Sequence, residues 1–122
     1  MNPPIFATVK NNAAVQAAFG TSPVRVYPFG QAPDVPTDPY CVWRISAGSP
    51  ENFINQRPDI DAYTVQFDVY GLTAASVEAG ARALRDALEG ACHITSWLGT
   101  DREASTGRYS YRFLADWWVP RS

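Results

Sequence analysis

DAYTVQFDVY, Asp61–Tyr70, broken by Gly71 and followed by LTAASVEAGARALRDALEG, Leu72–Gly90, sets the terms for the whole chain. In the first stretch Tyr63, Val65, Phe67 and Val69 alternate with Ala62, Thr64, Gln66 and Asp68, the period-two pattern of a strand with one buried face. In the second, Val77, Ala81, Leu84 and Leu88 recur at helical spacing, while Glu78, Arg82, Arg85, Asp86 and Glu89 lie mostly off that stripe. Thr73 or Ser76 offers an N-cap, and Gly90 ends the periodic run. A strand joined by a short turn to an amphipathic helix predicts a helix laid on a sheet.

Working outward, YCVWRIS, Tyr40–Ser46, is a second strand, with Cys41, Trp43 and Ile45 on one face and Tyr40, Val42, Arg44 and Ser46 on the other. Between the two strands AGSPENFINQRPDI, Ala47–Ile60, reads as an irregular excursion longer than a tight hairpin needs. Upstream, Ile5, Val9, Ala13, Gln16 and Phe19 fall at helical spacing, so one N-terminal helix is expected from Pro3 or Pro4 to Phe19, stopped by Gly20. Thr21–Pro39 is rich in proline, with Val24–Tyr27 the one piece able to form a strand. Downstream, Ala91–Leu98 reads as a strand, Gly99–Gly107 as a polar turn and Arg108–Val119 as a long last strand stopped by Pro120. The expected fold is α+β, a single domain over residues 1–122 with two helices packed on a mainly antiparallel sheet.

Composition narrows the function. In 122 residues, 46% hydrophobic and 18% charged, there is enough apolar material for a core. Twelve acidic against ten basic residues give a net charge of -2, and the arginines are scattered, which argues against gripping nucleic-acid backbones. No stretch approaches the roughly 20 apolar residues of a spanning helix, so no membrane partner is expected. The opening MNPPIFATVK has no basic run ahead of an apolar segment, and a cytoplasmic location is the expectation. His93 is the single histidine and Cys41 and Cys92 lie far apart in sequence, so neither a zinc site nor a disulfide framework is expected. Cys92 and His93, adjacent in a strand, point to opposite faces and make no nucleophile–base pair. Asp59 and Asp61 form a DxD pair, read as solvating the start of the strand rather than holding a cation. No GxSxG, GxGxxG or GKS/GKT motif is present, and no catalytic residue, metal ligand or cofactor is assigned.

The series PIFATVK (4–10), RVYPFGQAP (25–33), PYCVWRISAGSPENF (39–53), RPDIDAYTVQFDVYG (57–71), ALRDALEG (83–90), REASTGRYSYRF (102–113) and DWWV (116–119) resembles the tail-completion, or tail terminator, proteins of long-tailed bacteriophages. The resemblance runs in order along nearly the full chain. It implies a structural virion protein of α+β fold without enzymatic activity, assembled in the host cytoplasm. It implies a homo-oligomeric ring, usually a hexamer, at the head-proximal end of the tail tube. The implied partners are the major tail tube protein and the head-neck connector, with genomic DNA passing through the lumen. Two readings stand beside it: another neck or tail-tube component, and a small enzyme or ligand-binding domain with a pocket between Trp43, Tyr63 and the second helix.

The resemblance fixes no binding residues, so candidates come from the chain itself. Arg112, Leu114 and Trp118 share the second face of the last strand, and Trp117 and Trp118 cannot both enter one core, which makes these three interface candidates. Glu51, Asn52, Phe53 and Arg57 join them, because Ala47–Ile60 carries Phe53 in polar company. For the lumen, where tight phosphate binding would hinder sliding, the candidates are Asp34, Asp38, Asp101 and Glu103 on the polar connections.

Overall fold

The computed structural model describes residues 3–21, 23–34, 36–50 and 60–120. Its centre is the strand read first. β3, Ile60–Gly71, runs antiparallel to β2, Tyr40–Pro50, on one side and to β5, Tyr109–Pro120, on the other. β4, His93–Arg102, pairs antiparallel with the far side of β5. β1, Val26–Pro28, adds three residues in parallel to Cys41–Trp43. The sheet order is β1-β2-β3-β5-β4.

Three helices cover one face. α3, Ala74–Leu88, rests on β3 and β5 and packs with α1, Ile5–Val9, and α2, Ala13–Phe19. The α3 stripe is buried as its spacing predicts: Val77, Ala81, Leu84 and Leu88 are all inside. Thr73 is the cap, its hydroxyl accepting from the Ser76 N–H at 3.1 Å. Opposite lie Cys41 and Trp43 of β2, Val65, Phe67 and Val69 of β3, and Phe113, Ala115 and Trp117 of β5. Register puts Phe67 across from Phe113, and their rings stack at 4.8 Å. Burying each such ring contributes about 2–3 kcal/mol. Gly80 brings α3 close to the sheet and to α2: a Cβ there would sit 2.8 Å from the Phe19 ring and 3.2 Å from Val69 Cγ1.

Four expectations change. The N-terminal segment is two helices, because the Asn12 side chain accepts from the N–H groups of Ala14 and Val15 at 3.0 and 3.1 Å and starts a second helix. The break moves Ala13 to the surface, and Val15 joins Ile5, Val9 and Phe19 in the core. The described residues therefore form three helices. Ala47–Pro50 belongs to β2, paired with Asp61–Thr64 past a register shift between Ile45 and Ala47, so these residues, like Ile60 of β3, are strand rather than excursion, and residues 51–59 lie outside the described residues. Gly99–Arg102 likewise extends β4: Gly99, at φ 82, absorbs a second register shift on that strand, and the turn narrows to residues 103–108. The short early strand sits one to two residues later than expected, at Val26–Pro28.

Trp43 and Tyr63, proposed above as walls of a pocket, are part of the packed core, Trp43 buried and Tyr63 half-buried against it. Cys41 is fully buried and Cys92 half-buried, both as free thiols. No described helix is long and apolar enough to cross a membrane.

Candidate assembly surface

Among the described residues, no helix lies on the second face of the sheet. Its centre is a polar row created by strand register. Asp68 of β3 lies opposite Arg112 of β5, and the Arg112 Nε donates to Asp68 Oδ1 at 2.7 Å. Gln66, two residues earlier on the same face, donates from Nε2 to Asp68 Oδ2 at 3.1 Å, while its Oε1 accepts from Arg44 Nη2 of β2 at 3.5 Å. Further along, Thr64 donates to Asp116 Oδ1 at 3.2 Å. Asp68 and Gln66 are both buried polar groups, so the row satisfies what burial would otherwise penalise. The hydrogen bond from Arg112 to Asp68, then the carboxylate's charge, raises the guanidinium pKa above its ordinary value.

At one end this face is roofed by part of the proline-rich segment. Phe29, Gly30, Pro33 and Asp34 line a groove over Tyr40, Val42, Arg44, Tyr70 and Arg112. The segment is tied down by the Phe29 N–H donating to the Trp43 carbonyl at 2.8 Å and by Arg108 Nη2 donating to Asp38 Oδ2 at 2.7 Å. Tyr40 and Tyr70 stack at 5.1 Å beneath it. Burial raises both phenol pKa values, and the Asp68 charge adds to the shift at Tyr70. At the other end no such roof is formed by the described residues. There Trp118 and Asp116 of β5 border a shallow trough floored by Ala47, Gly48, Ala62 and Thr64.

Among the sequence-derived interface candidates, Trp117 and Trp118 divide as their alternation requires, 3% and 46% exposed. Leu114 is half-buried on the same face as Trp118. Arg112, on that face too, is committed to Asp68 within the chain. Glu51, Asn52, Phe53 and Arg57 lie outside the described residues, as does Asp59 of the DxD pair. The lumen candidates gather at one end of the sheet. Asp101 pairs in register with Ser110 and Glu103 follows β4, while Asp38 meets Arg108 just ahead of β5 and Asp34 borders the roofed groove. Asp101, Glu103 and Asp34 are exposed, whereas the Asp38 side chain is mostly covered by its ion pair.

Sequence reading missed the polar row as a unit. Its signal was present in the alternation, since Gln66 and Asp68 sit on the face of β3 away from the core, as Arg44 and Arg112 do on β2 and β5. What the pattern lacked was the register that sets them side by side.

A three-helix layer on one face of a five-stranded sheet, with polar and aromatic side chains on the other, makes the described residues a small α+β domain. Residues 3–115 match the family Tail completion protein gp17, and the chain belongs to that family, a tail structural protein of phage-like virions. No curated protein matches the chain. Among solved structures, a chain from "Virion of native gene transfer agent (GTA) particle" has the same fold, with a TM-score of 0.70 at 16% identity, covering 95% of this chain and 91% of that one.

Proposed function

We propose that this protein ends the phage tail tube as a homo-oligomeric ring, at the end where the tube meets the head-neck connector. The observation that carries the reading, beside family membership, is the number of large apolar side chains this small domain leaves in solvent. Phe6, Phe29, Leu72, Trp97, Leu98 and Trp118 are each between 41% and 68% exposed. Covering such a side chain against another protein gains apolar burial, about 1.5–3 kcal/mol for a large side chain fully covered. The fold it shares with a chain of a gene transfer agent virion is consistent with assembly into such a particle.

The mechanism is steric. Head-to-tail contacts close into a ring when the rotation per subunit closes. One rim matches the stacking surface of the tube and the other does not, so polymerisation stops and the free rim receives the connector. Trp118 packs against a neighbouring subunit, with Leu114 and, further along the same face of β5, Arg112 contributing to that surface. The segment around Glu51, Asn52, Phe53 and Arg57 makes a further intermolecular contact. Asp34, Asp101 and Glu103 face the lumen, where carboxylates keep DNA from binding tightly, while Asp38, paired with Arg108, holds the lining in place behind them.

Light scattering on the purified protein, followed by imaging of the protein added to tail tubes, tests the reading. A ring-sized species found at one tube end is expected. A protein that decorates tubes along their length, or stays monomeric with tubes present, overturns it. A lumen lined mainly by arginines overturns the carboxylate assignment alone.

A further inference from the structure

The helix layer stops short of the sheet's β4 edge. Between α3 and β4 this leaves a groove whose floor is Ala81, Trp97 and Tyr111 and whose rim is Glu78, Arg82 and Arg85. Trp97 is held in place by Tyr111, ring centroids 5.7 Å apart, and by Phe113 at 4.9 Å, yet it stays 41% exposed. The three charged side chains differ in their commitments. Arg85 pairs with Asp86 at 3.0 Å and Glu89 at 3.8 Å, and Glu78 accepts from Thr100 at 3.2 Å. Arg82 has no ion pair among the described residues. The groove is thus an aromatic floor beside an uncommitted cation.

We propose that this groove receives residues 51–59 of a neighbouring copy. The inference rests on the self-association reading above and names the two surfaces that meet. The segment ENFINQRPD has the complementary chemistry: Phe53 and Ile54 for the aromatic floor, Glu51 and Asp59 for Arg82, and Arg57 for Glu78. Aromatic and arginine side chains are those that dominate interface energetics.

Reach decides that the contact is between copies. Nine residues separate Pro50 from Ile60, and those two ends leave adjacent strands. A chain going out and back over that length projects at most about 16 Å, at about 3.3 Å per residue. Trp97 lies opposite Phe113, seven residues along β5 from the Pro120 that faces Ile60. That offset is about 23 Å along the strands and two strand spacings, about 10 Å, across them. The chain's own segment falls short of its own groove by roughly 9 Å on those spacings. A segment at one end of the domain filling a groove on the flank of the next gives a head-to-tail contact, the kind a closed ring requires.

The test uses two full-length variants in a Cys92→Ala background, Phe53→Cys in one and Glu78→Cys in the other. Cys41 is buried and stays in both. Mixed under assembly conditions and mildly oxidised, they are expected to form a disulfide-linked heterodimer, and a single chain carrying both cysteines is expected to form no internal bridge. Separately, Arg82→Glu is expected to lose association, and adding Glu51→Arg to restore it. Association without the heterodimer, or an internal bridge in the double-cysteine chain, overturns the groove assignment and leaves self-association standing. So does an Arg82→Glu chain that associates like wild type. A wild-type protein that remains monomeric with tail tubes present overturns the self-association reading and this inference with it.

Discussion

Gly80 shows how a single residue sets the spacing between layers. In an exposed helix, replacing glycine with alanine gains about 1 kcal/mol of helix propensity. Here the new methyl would stand 2.8 Å from a buried ring, Phe19, and 3.2 Å from buried Val69. Overpacking a filled core costs about 1–3 kcal/mol, so Gly80→Ala is expected to lower stability by up to about 2 kcal/mol once the propensity gain is subtracted. A urea titration measures it, and a raised midpoint would show that Phe19 swings aside freely. The thiols supply a second residue-scale expectation. Burial, with the Glu89 charge behind it, pushes Cys92 from 9.0 up to about 11, and burial pushes Cys41 further in the same direction. A pKa raised by folding means the native state holds its proton more tightly than the unfolded chain does. The stabilisation is therefore complete below about pH 9 and is lost as pH rises through 11. Tyr40 and Tyr70, also raised, act in the same sense above pH 10. Urea midpoints should hold to pH 9 and fall beyond it, less steeply in Cys92→Ala.

At the scale of elements, the strands and helix with unbroken periodicity were legible. β3, α3 and β5 fall within one or two residues of their sequence-derived limits because a buried face repeats without interruption in each. The elements that differ are those decided by chemistry outside periodicity. Ala47–Pro50 and Gly99–Arg102 look like loop sequence, with glycine, proline and polar residues, yet each is drawn into the sheet by a neighbouring strand already in place. Both cross a register shift to get there, an irregularity no alternation rule anticipates. At the N-terminus the spacing Ile5–Val9–Ala13 concealed a break. Asn12 makes it, and with the cap in place α2 begins on a new axis that buries Val15 instead of Ala13. Asn12→Ala is expected to cost about 1 kcal/mol by leaving the Ala14 and Val15 N–H groups without that acceptor, while Asn12→Asp should hold near wild type. Thermal melts of the two variants separate the cap from mere tolerance of substitution. For the surface, alternation identified which side chains face away from the core, but the joining of Arg44, Gln66, Asp68 and Arg112 into one row needed register.

At the scale of the whole molecule, the two adjacent tryptophans divide between the core and the surface. Trp117 is 3% exposed beneath the helices, and Trp118 is 46% exposed on the face that carries none. The proline-rich roof covers the Tyr40–Tyr70 end of that face, leaving Trp118 to border the trough over Gly48 and Ala62 at the other. Truncating a buried tryptophan costs about 3–5 kcal/mol, through lost transfer energy and the cavity left behind. For a domain of this size that is a large share of a total stability of about 5–15 kcal/mol. Trp117→Ala is therefore expected to unfold, or to melt far below wild type. Trp118→Ala removes a side chain that solvent already reaches over nearly half its surface, so its cost to the isolated fold should stay within about 1–2 kcal/mol. In the proposed ring that same side chain would be covered by the neighbouring subunit, and its loss there would be the loss of an interface anchor, worth about 2 kcal/mol or more per contact. In a closed ring built on that contact the deficit would be repeated at every subunit, so association is expected to fail before folding does. Circular dichroism melts read together with light scattering decide the matter: a Trp118→Ala chain that is folded but monomeric is expected. One that unfolds would put Trp118 in the core of its own chain, and one that assembles at wild-type concentration would take it out of the interface.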